Sequence, residues 1–156
     1  DSAQGLTDAN GELSVDTRLL EFHAEWRGQG FQVRGLWVEG DLDGVARLNQ
    51  KLALSGNRSV GEELAGYYVE AGYDVLSLVA ESRQALIPFA RWESYDTQAA
   101  VPAGFARNPA NEIETLTLGV NWKPIDQLIF KADWQDVDNG ADTGVDQFNL
   151  SLGYIF

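Results

Sequence analysis

The chain has no cysteine, no methionine and few basic side chains, with 11 Lys and Arg against 24 Asp and Glu and a net charge of −13. Nucleic-acid binding depends on Lys and Arg that neutralise phosphates, so the charge balance argues against a nucleic-acid partner. A chain without thiols suits passage through an oxidising compartment, where stray cysteines form unwanted disulfides. The absence of cysteine also excludes a disulfide framework and cysteine-based metal sites.

Long apolar runs are also missing. A membrane-spanning helix needs about 18–20 uninterrupted apolar residues, and the longest candidate, Val75 to Ala80, is far shorter. If the chain crosses a bilayer, it must do so as strands closed into a barrel, because an open sheet edge cannot be satisfied in lipid. The first residues, Asp1 to Gly5, lack the basic and apolar regions of a signal peptide. We therefore expect either a mature chain or a fragment.

The last ten residues alternate between large apolar and small or polar side chains. This period of two predicts a β-strand with one set of side chains on each face. With its aromatic terminal residue, the segment resembles the closing strand of a Gram-negative outer-membrane β-barrel. In that class the barrel-assembly machinery recognises this strand, and the matching residues here are Phe148, Leu150, Leu152, Tyr154 and Phe156.

Six earlier segments show the same alternation. Together with the last strand they predict about seven antiparallel strands of about 9–11 residues, the length that a tilted strand needs to cross a bilayer. The predicted fold class is all-β, a segment of an antiparallel transmembrane barrel. The six segments are residues 20–27, 31–38, 65–74, 88–95, 115–122 and 128–135.

Short and long connections alternate along the chain, as they do in barrels with short periplasmic turns and long external loops. The short turns are 28–30 and 123–126, and the long loops are 40–63, 96–112 and 136–146. The connection 75–84 is long for a periplasmic turn, so we expect a helical turn or extended flanking strands there. Residues 41–56 have helical spacing, with Asp41 as N-cap and Gly56 as stop. This helical insertion in an external loop either enters the lumen or lies on the rim.

All five tryptophans belong to the apolar, outward set of their strands. Two aromatic girdles are expected of a barrel in lipid, because amphipathic rings favour the headgroup level. A soluble β-sandwich also has alternating aromatics, but it would concentrate them at mid-strand. The predicted periplasmic girdle is Trp26, Tyr73, Trp122, Tyr154 and Phe156, and the external one is Trp37, Tyr67, Trp92, Trp134 and Phe148.

Several segments resemble the phosphate-selective porin (O and P type) superfamily. They are PFARWESYDT at 88–97 followed by VPAGF at 101–105, LTLGVNWKP at 116–124, KADWQ at 131–135 and GVDQFNL at 144–150. The resemblance covers most of residues 60–156. It implies a monomeric or trimeric porin of about sixteen strands, of which residues 1–156 would be a carboxy-terminal, single-domain part. An odd strand count also predicts a fragment, since single-chain bacterial barrels have even numbers.

The inward set of the strands supplies the candidate pore lining. It carries four positive and five negative side chains and one histidine, so this part of the wall has no clear excess of positive or negative charge. We therefore expect charges that pair and keep the lumen wet, rather than an anion-selective ladder. The candidate residues are His23, Arg27, Arg34, Glu70, Arg91, Glu93, Lys131 and Asp133, with Glu21 and Glu25 beside them.

Enzymatic motifs are missing: there is no Gly-x-Ser-x-Gly, His-Glu-x-x-His or Gly-Lys-Ser/Thr sequence. Residues 136–142 resemble half of a calcium loop but lack its distal Glu, so an acidic solvated loop is predicted and no metal or cofactor. The expected function is that of a porin, a water-filled channel for passive diffusion of small polar or anionic solutes across the bacterial outer membrane. The alternative is a small structural or adhesive barrel without a channel.

Overall fold

The computed structural model describes residues 2–8, 11–79 and 82–155, with side chains from Leu13 onward. Strands β1 (Ser2–Asp8) and β2 (Gly11–Ser14) form a small antiparallel hairpin that the alternation pattern did not predict. The remaining strands form a single seven-stranded sheet. No helix within the described ranges is long and apolar enough to span a membrane.

The seven-stranded sheet is an antiparallel meander in which each strand pairs with the next along the chain. This confirms the all-β antiparallel prediction and the number of strands in the sheet. The sheet is open rather than closed into a barrel, with the first and last strands as its two edges. The strands are β3 (Asp16–Gly28), β4 (Phe31–Asp43), β5 (Glu63–Tyr73), β6 (Ala85–Ala100), β7 (Glu112–Ile125), β8 (Leu128–Asn139) and β9 (Gln147–Tyr154).

Several strands run further than predicted. Strand β7 continues through Pro124 to Ile125, so the predicted 123–126 turn is shorter, and the pairing with β8 shifts register after Trp122. A proline is tolerated at such a bulge because the ladder is already interrupted there. At the other end, β6 and β8 extend into the predicted loops as far as Ala100 and Asn139.

The end of the sheet that carries the 29–30 turn has two short connections, 29–30 and 126–127, and one longer one, 74–84. Gln29 and Gly30 have φ of 51° and 83°, which lets two residues reverse the chain between β3 and β4. Between β5 and β6, a 3-10 helix covers Val75–Leu78, so the helical-turn prediction is correct for that part. The Asp74 carboxylate holds this connection, because it accepts from the Leu76 and Leu86 amides at 3.1 and 3.0 Å.

The opposite end carries the long loops, and the predicted helix is shorter than residues 41–56. Helix α1 spans Val45–Lys51, and Asp41 belongs to β4, where it pairs with both neighbouring strands. Strand pairing on both sides outweighs the local helical spacing of 41–43. The helix begins instead after Gly44, whose φ of 82° and close approach to the Ser14 carbonyl suit only glycine. Gly56 starts a separate 3-10 turn, Gly56–Arg58.

The sheet has almost no conventional hydrophobic core. Among the residues whose side chains are described, four hydrophobic ones are buried: Leu13, Val45, Ile87 and Phe89. Large apolar side chains lie at the surface instead, with Leu150 75% and Phe22 68% exposed. Burying such surface is worth about 25 cal/mol per Å², so a contiguous exposed patch of this kind marks a surface that contacts something other than water.

Candidate functional site

The strand register sorts the sheet into two chemically different faces. The row that runs from Trp26 through Val33, Ala71, Ala90, Leu118 and Trp134 to Phe148 is apolar at every position. We call this side the apolar face; it consists of the first, third, fifth and seventh residues of segments 20–26, 31–37, 67–73, 86–92, 116–122, 128–134 and 148–154. All members are apolar or glycine, and the intervening residues form the polar face.

In the middle of the sheet, polar-face side chains are buried and apolar-face side chains are exposed, the reverse of the arrangement in a soluble protein. On the polar face, Thr117 and Asp133 are each 3% exposed. Next to them on the apolar face, Leu118 is 46% and Trp134 39% exposed. A sheet that folds around an apolar core in water would bury the second pair and expose the first.

The apolar segments form a band that slants across the sheet. On β3 the segment ends at Trp26, whereas on β9 it begins at Phe148, which lies in the same register row. The band therefore shifts by six residues, about 20 Å, over six strand spacings, about 29 Å. The corresponding angle is about 35°, within the strand tilt of outer-membrane barrels of about 35–45°. If the strands were tilted as they are in such a barrel, the band would run perpendicular to the barrel axis, at the same height on every strand.

Aromatic residues border this band on both sides. Trp26, Tyr73, Trp122 and Tyr154 each end their segment on the side of the 29–30 turn, as predicted for the periplasmic girdle. Phe156, the fifth predicted member, lies outside the described residues. The other border consists of Trp37, Tyr67, Trp92, Trp134 and Phe148. No tryptophan lies at mid-segment, which disfavours the sandwich alternative.

The charged residues predicted to line the pore are paired on the polar face. Arg34 binds Glu70 across two strands at 2.9 Å, and Lys131 lies 3.2 Å from Asp133. Arg91 binds Glu93 and stacks 4.0 Å above the Tyr68 ring. Arg27–Glu25 and His23–Glu21 are further pairs, and both join residues two apart on one strand. The expectation of paired charges agrees with this geometry, although most pairs run along a strand rather than across strands.

A cavity of about 230 Å³ lies on the polar face. Its lining includes Glu25 on β3 and Lys131 on β8, five strands apart. In a flat sheet these strands would be about 24 Å apart, so the sheet curves with its polar face concave. Of the eight candidate pore residues, Arg27, Arg34, Glu70 and Lys131 line the cavity, whereas His23, Arg91, Glu93 and Asp133 do not.

Sequence reasoning missed one charged residue of the cavity, Lys123, because it was assigned to a turn. The side chain lines the cavity beside Asn121, which is two residues earlier on the same face. The alternation of 115–122 already gave the signal, had it been continued by two more residues. Asp133, by contrast, is a supporting residue: the Asn149 amide donates to its carboxylate at 3.1 Å, and Gly119 leaves room for it.

Acidic residues lie just beyond the apolar band at the long-loop end. Partial desolvation, together with the nearby Asp146 and Asp138, raises the pKa of the Asp136 carboxyl above its usual value. In the 136–142 segment, the Asn139 side chain accepts from the amides of Ala141 and Thr143, as in an Asx turn. No group of three or more potential metal ligands occurs in the part of the chain that the structure describes.

Comparison with known proteins gives one informative relative. The chain is 22% identical over 157 residues to an uncharacterized protein of Aquifex aeolicus (strain VF5). The match covers 97% of this chain but 36% of the relative, so the chain spans about a third of the length of the protein it matches. No family model matches the chain, and no solved structure matches it.

Proposed function

We propose that the chain is part of an outer-membrane porin. In this proposal the apolar face contacts outer-membrane lipid, and the concave polar face lines a water-filled channel. Small polar or anionic solutes would diffuse through the channel passively, without a cofactor and without chemistry on the solute.

One observation carries the proposal: the slanted apolar band with its two aromatic borders. A soluble barrel with tilted strands carries its apolar residues on the concave inner face, whereas here the slanted apolar band lies opposite the concave polar face. A lipid layer imposes that slant on tilted strands, because its edges are planar. Seven residues at about 3.4 Å each give about 24 Å along the strand and about 20 Å along an axis tilted by 35°, close to the apolar band of such barrels.

Barrel closure would require further strands. In the described part of the chain, β3 and β9 each pair with a strand on one side only. Lipid cannot satisfy the backbone groups of an open sheet edge. The Aquifex relative is long enough to supply additional strands in one chain. We propose closure by strands of the same longer protein, assembled by the barrel-assembly machinery and present as a monomer or a trimer.

The channel part of the proposal rests on the charged, concave face. Paired ions of opposite sign attract water but create little net potential along a pore, so weak ion preference is expected. The phosphate preference of the resembled superfamily would need a surplus of cations, and Arg34, Arg91 and Lys131 are instead each paired with a carboxylate.

Planar-bilayer recordings and lipid quenching on the purified full-length protein test the two parts together. We expect stable, weakly selective conductance, and strong quenching of tryptophan fluorescence by lipids brominated on their acyl chains. The same protein with Trp26, Trp37, Trp92, Trp122 and Trp134 all changed to Phe is the matched control for quenching. If brominated lipids did not quench the tryptophan fluorescence, the proposal that the apolar face contacts lipid would be refuted.

A second candidate is a small structural or adhesive barrel without a channel. The crowded middle of the polar face favours it, because Phe89, Thr115 and Thr117 are all buried there. About eight strands would leave such an interior filled, whereas about sixteen would leave it open. Quenching without conductance in the full-length protein would select this candidate.

A further inference from the structure

Two long loops at the same end of the sheet are joined through one buried side chain. Gln98, at the end of β6, is 2% exposed. Its amide nitrogen donates to the Ser59 carbonyl in the 44–62 loop, and its amide oxygen accepts from the Asn108 amide at 2.6 Å in the 101–111 loop. A single glutamine therefore fixes the position of one loop relative to the other.

Backbone contacts repeat this link on both sides of Gln98. The Ala106 amide donates to the Gly56 carbonyl at 3.0 Å, and the Glu62 amide donates to the Ala100 carbonyl at 2.9 Å. Gly61 packs so closely that a Cβ atom there would lie 2.6 Å from the Thr97 carbonyl oxygen. The two loops are thus in direct main-chain contact.

Each loop is also braced internally. Asn49 of α1 is fully buried, donates to the Val60 carbonyl at 3.0 Å and accepts from the Val60 amide at 2.8 Å. Arg107 binds Asp96 and donates to the Gln98 carbonyl at 2.9 Å. Separating the loops would break the bond between Gln98 and the Ser59 carbonyl and leave a buried donor and a buried acceptor without partners. That loss is costlier than the loss of exposed hydrogen bonds.

We infer that these contacts form a rigid clamp, consisting of Asn49, residues 59–62, Gln98 and residues 106–108, that keeps both loops from moving as gates. A gate needs two arrangements of similar free energy, and the clamp stabilises one. None of the residues lining the polar-face cavity comes from either loop, because the cavity lies nearer the 29–30 turn and both loops lie at the opposite end of the sheet. That this end is a channel mouth rests on the proposed function; the clamp itself rests on the contacts.

Hydrogen exchange on the full-length protein tests the clamp directly. The amides of Val60, Ala106 and Asn108 should exchange at least about 100-fold more slowly than an unstructured loop. Gln98→Ala should accelerate exchange at Ala106 and Asn108 by about tenfold or more. Gln98→Asn, which keeps an amide but shortens the side chain by one methylene, provides a milder variant if Gln98→Ala does not assemble.

Matched controls come from the same loop. Asn49→Ala should release Val60, whereas Asn57→Ala, in the exposed 3-10 turn, should leave every clamp amide unchanged. Wild-type loops that exchange like unstructured peptide would overturn the inference, as would full protection in both Gln98 variants.

Single-channel records separate the clamp from the proposed function. We expect steady wild-type currents and added closures in Gln98→Ala. Spontaneous closures in the wild type that disappear when the two loops are cross-linked would overturn the inference. Protected amides in a protein that never conducts would uphold the clamp and refute the porin.

Discussion

A pair of arginine substitutions on adjacent residues of β9 gives the sharpest test of the lipid-facing surface. Leu150 and Ser151 are both exposed and lie next to each other, but Leu150 is on the apolar face and Ser151 on the polar face. In water the two substitutions would be nearly equivalent, and Leu150→Arg would even remove exposed apolar surface.

In lipid the two substitutions differ strongly. An arginine at mid-band on the lipid side of a barrel costs about 2–4 kcal/mol, whereas one on the lumen side costs little. Leu150 is the second of four apolar-face residues on its strand, inside the band and away from the aromatic Tyr154 border. Since about 1.4 kcal/mol is tenfold in an equilibrium constant, Leu150→Arg should lower the folding constant by about 30- to 1,000-fold.

Reversible urea unfolding of the full-length protein in phospholipid vesicles would measure this difference, with intrinsic tryptophan fluorescence as the signal. Ser151→Arg serves as the control for added charge and side-chain volume. Equal stability of the two variants in vesicles would refute the assignment of the apolar face to lipid.

Three further outcomes follow from the sequence and structure. Deleting Phe156 should sharply lower outer-membrane yield, measured by heat-modifiable gel mobility, whereas normal yield would refute an assembly role. Changing Arg91 and Lys131 together to Gln removes the ion-pair partners of Glu93 and Asp133. Bilayer recordings should then show ion selectivity shifted modestly towards cations, with conductance retained. A strong anion selectivity in the wild type that this double change abolishes would contradict the paired-charge reasoning. The pKa of Asp136 is raised in the folded chain, so the ionised carboxylate lowers the stability of the fold at a pH above that pKa. This loss of stability disappears as the pH falls below the usual carboxyl range, where the group is protonated in both the folded and the unfolded chain. Asp136→Asn should therefore raise the melting temperature at neutral pH but not at about pH 3, and an equal effect at both would refute this origin.

The sequence was sufficient to predict the strands of the sheet, because the period-two pattern is a local property of each segment. It also assigned Trp26, Trp92 and Trp134 to one face, since the register follows from short turns such as 29–30. The hairpin of β1 and β2 was missed because its short strands show no sustained alternation.

Helix bounds and the loop contacts could not be read from the sequence for a different reason. The residues at 41–43 have helical spacing, yet all three pair with β3 and Asp41 also pairs with β5. Such tertiary pairing overrides local propensity. Gln98 and Asn49 look like ordinary polar residues, and only the approach of two distant loops gives them buried partners. The place of Lys123 on the polar face was not predicted, because Pro124 suggested a turn; the strand instead continues through a bulge.

The slant of the apolar band limits how the length of this chain can change during evolution. Deleting one residue inside a strand would move every later side chain of that strand to the opposite face. Deleting two would restore the faces but displace the apolar segment by about 7 Å along its strand, out of line with both neighbours. Insertions and deletions should therefore accumulate in loops without such constraints, such as 140–146, while strand lengths stay fixed. An alignment of homologues with gaps inside 116–122 or 128–134 would be incompatible with a planar boundary on this surface.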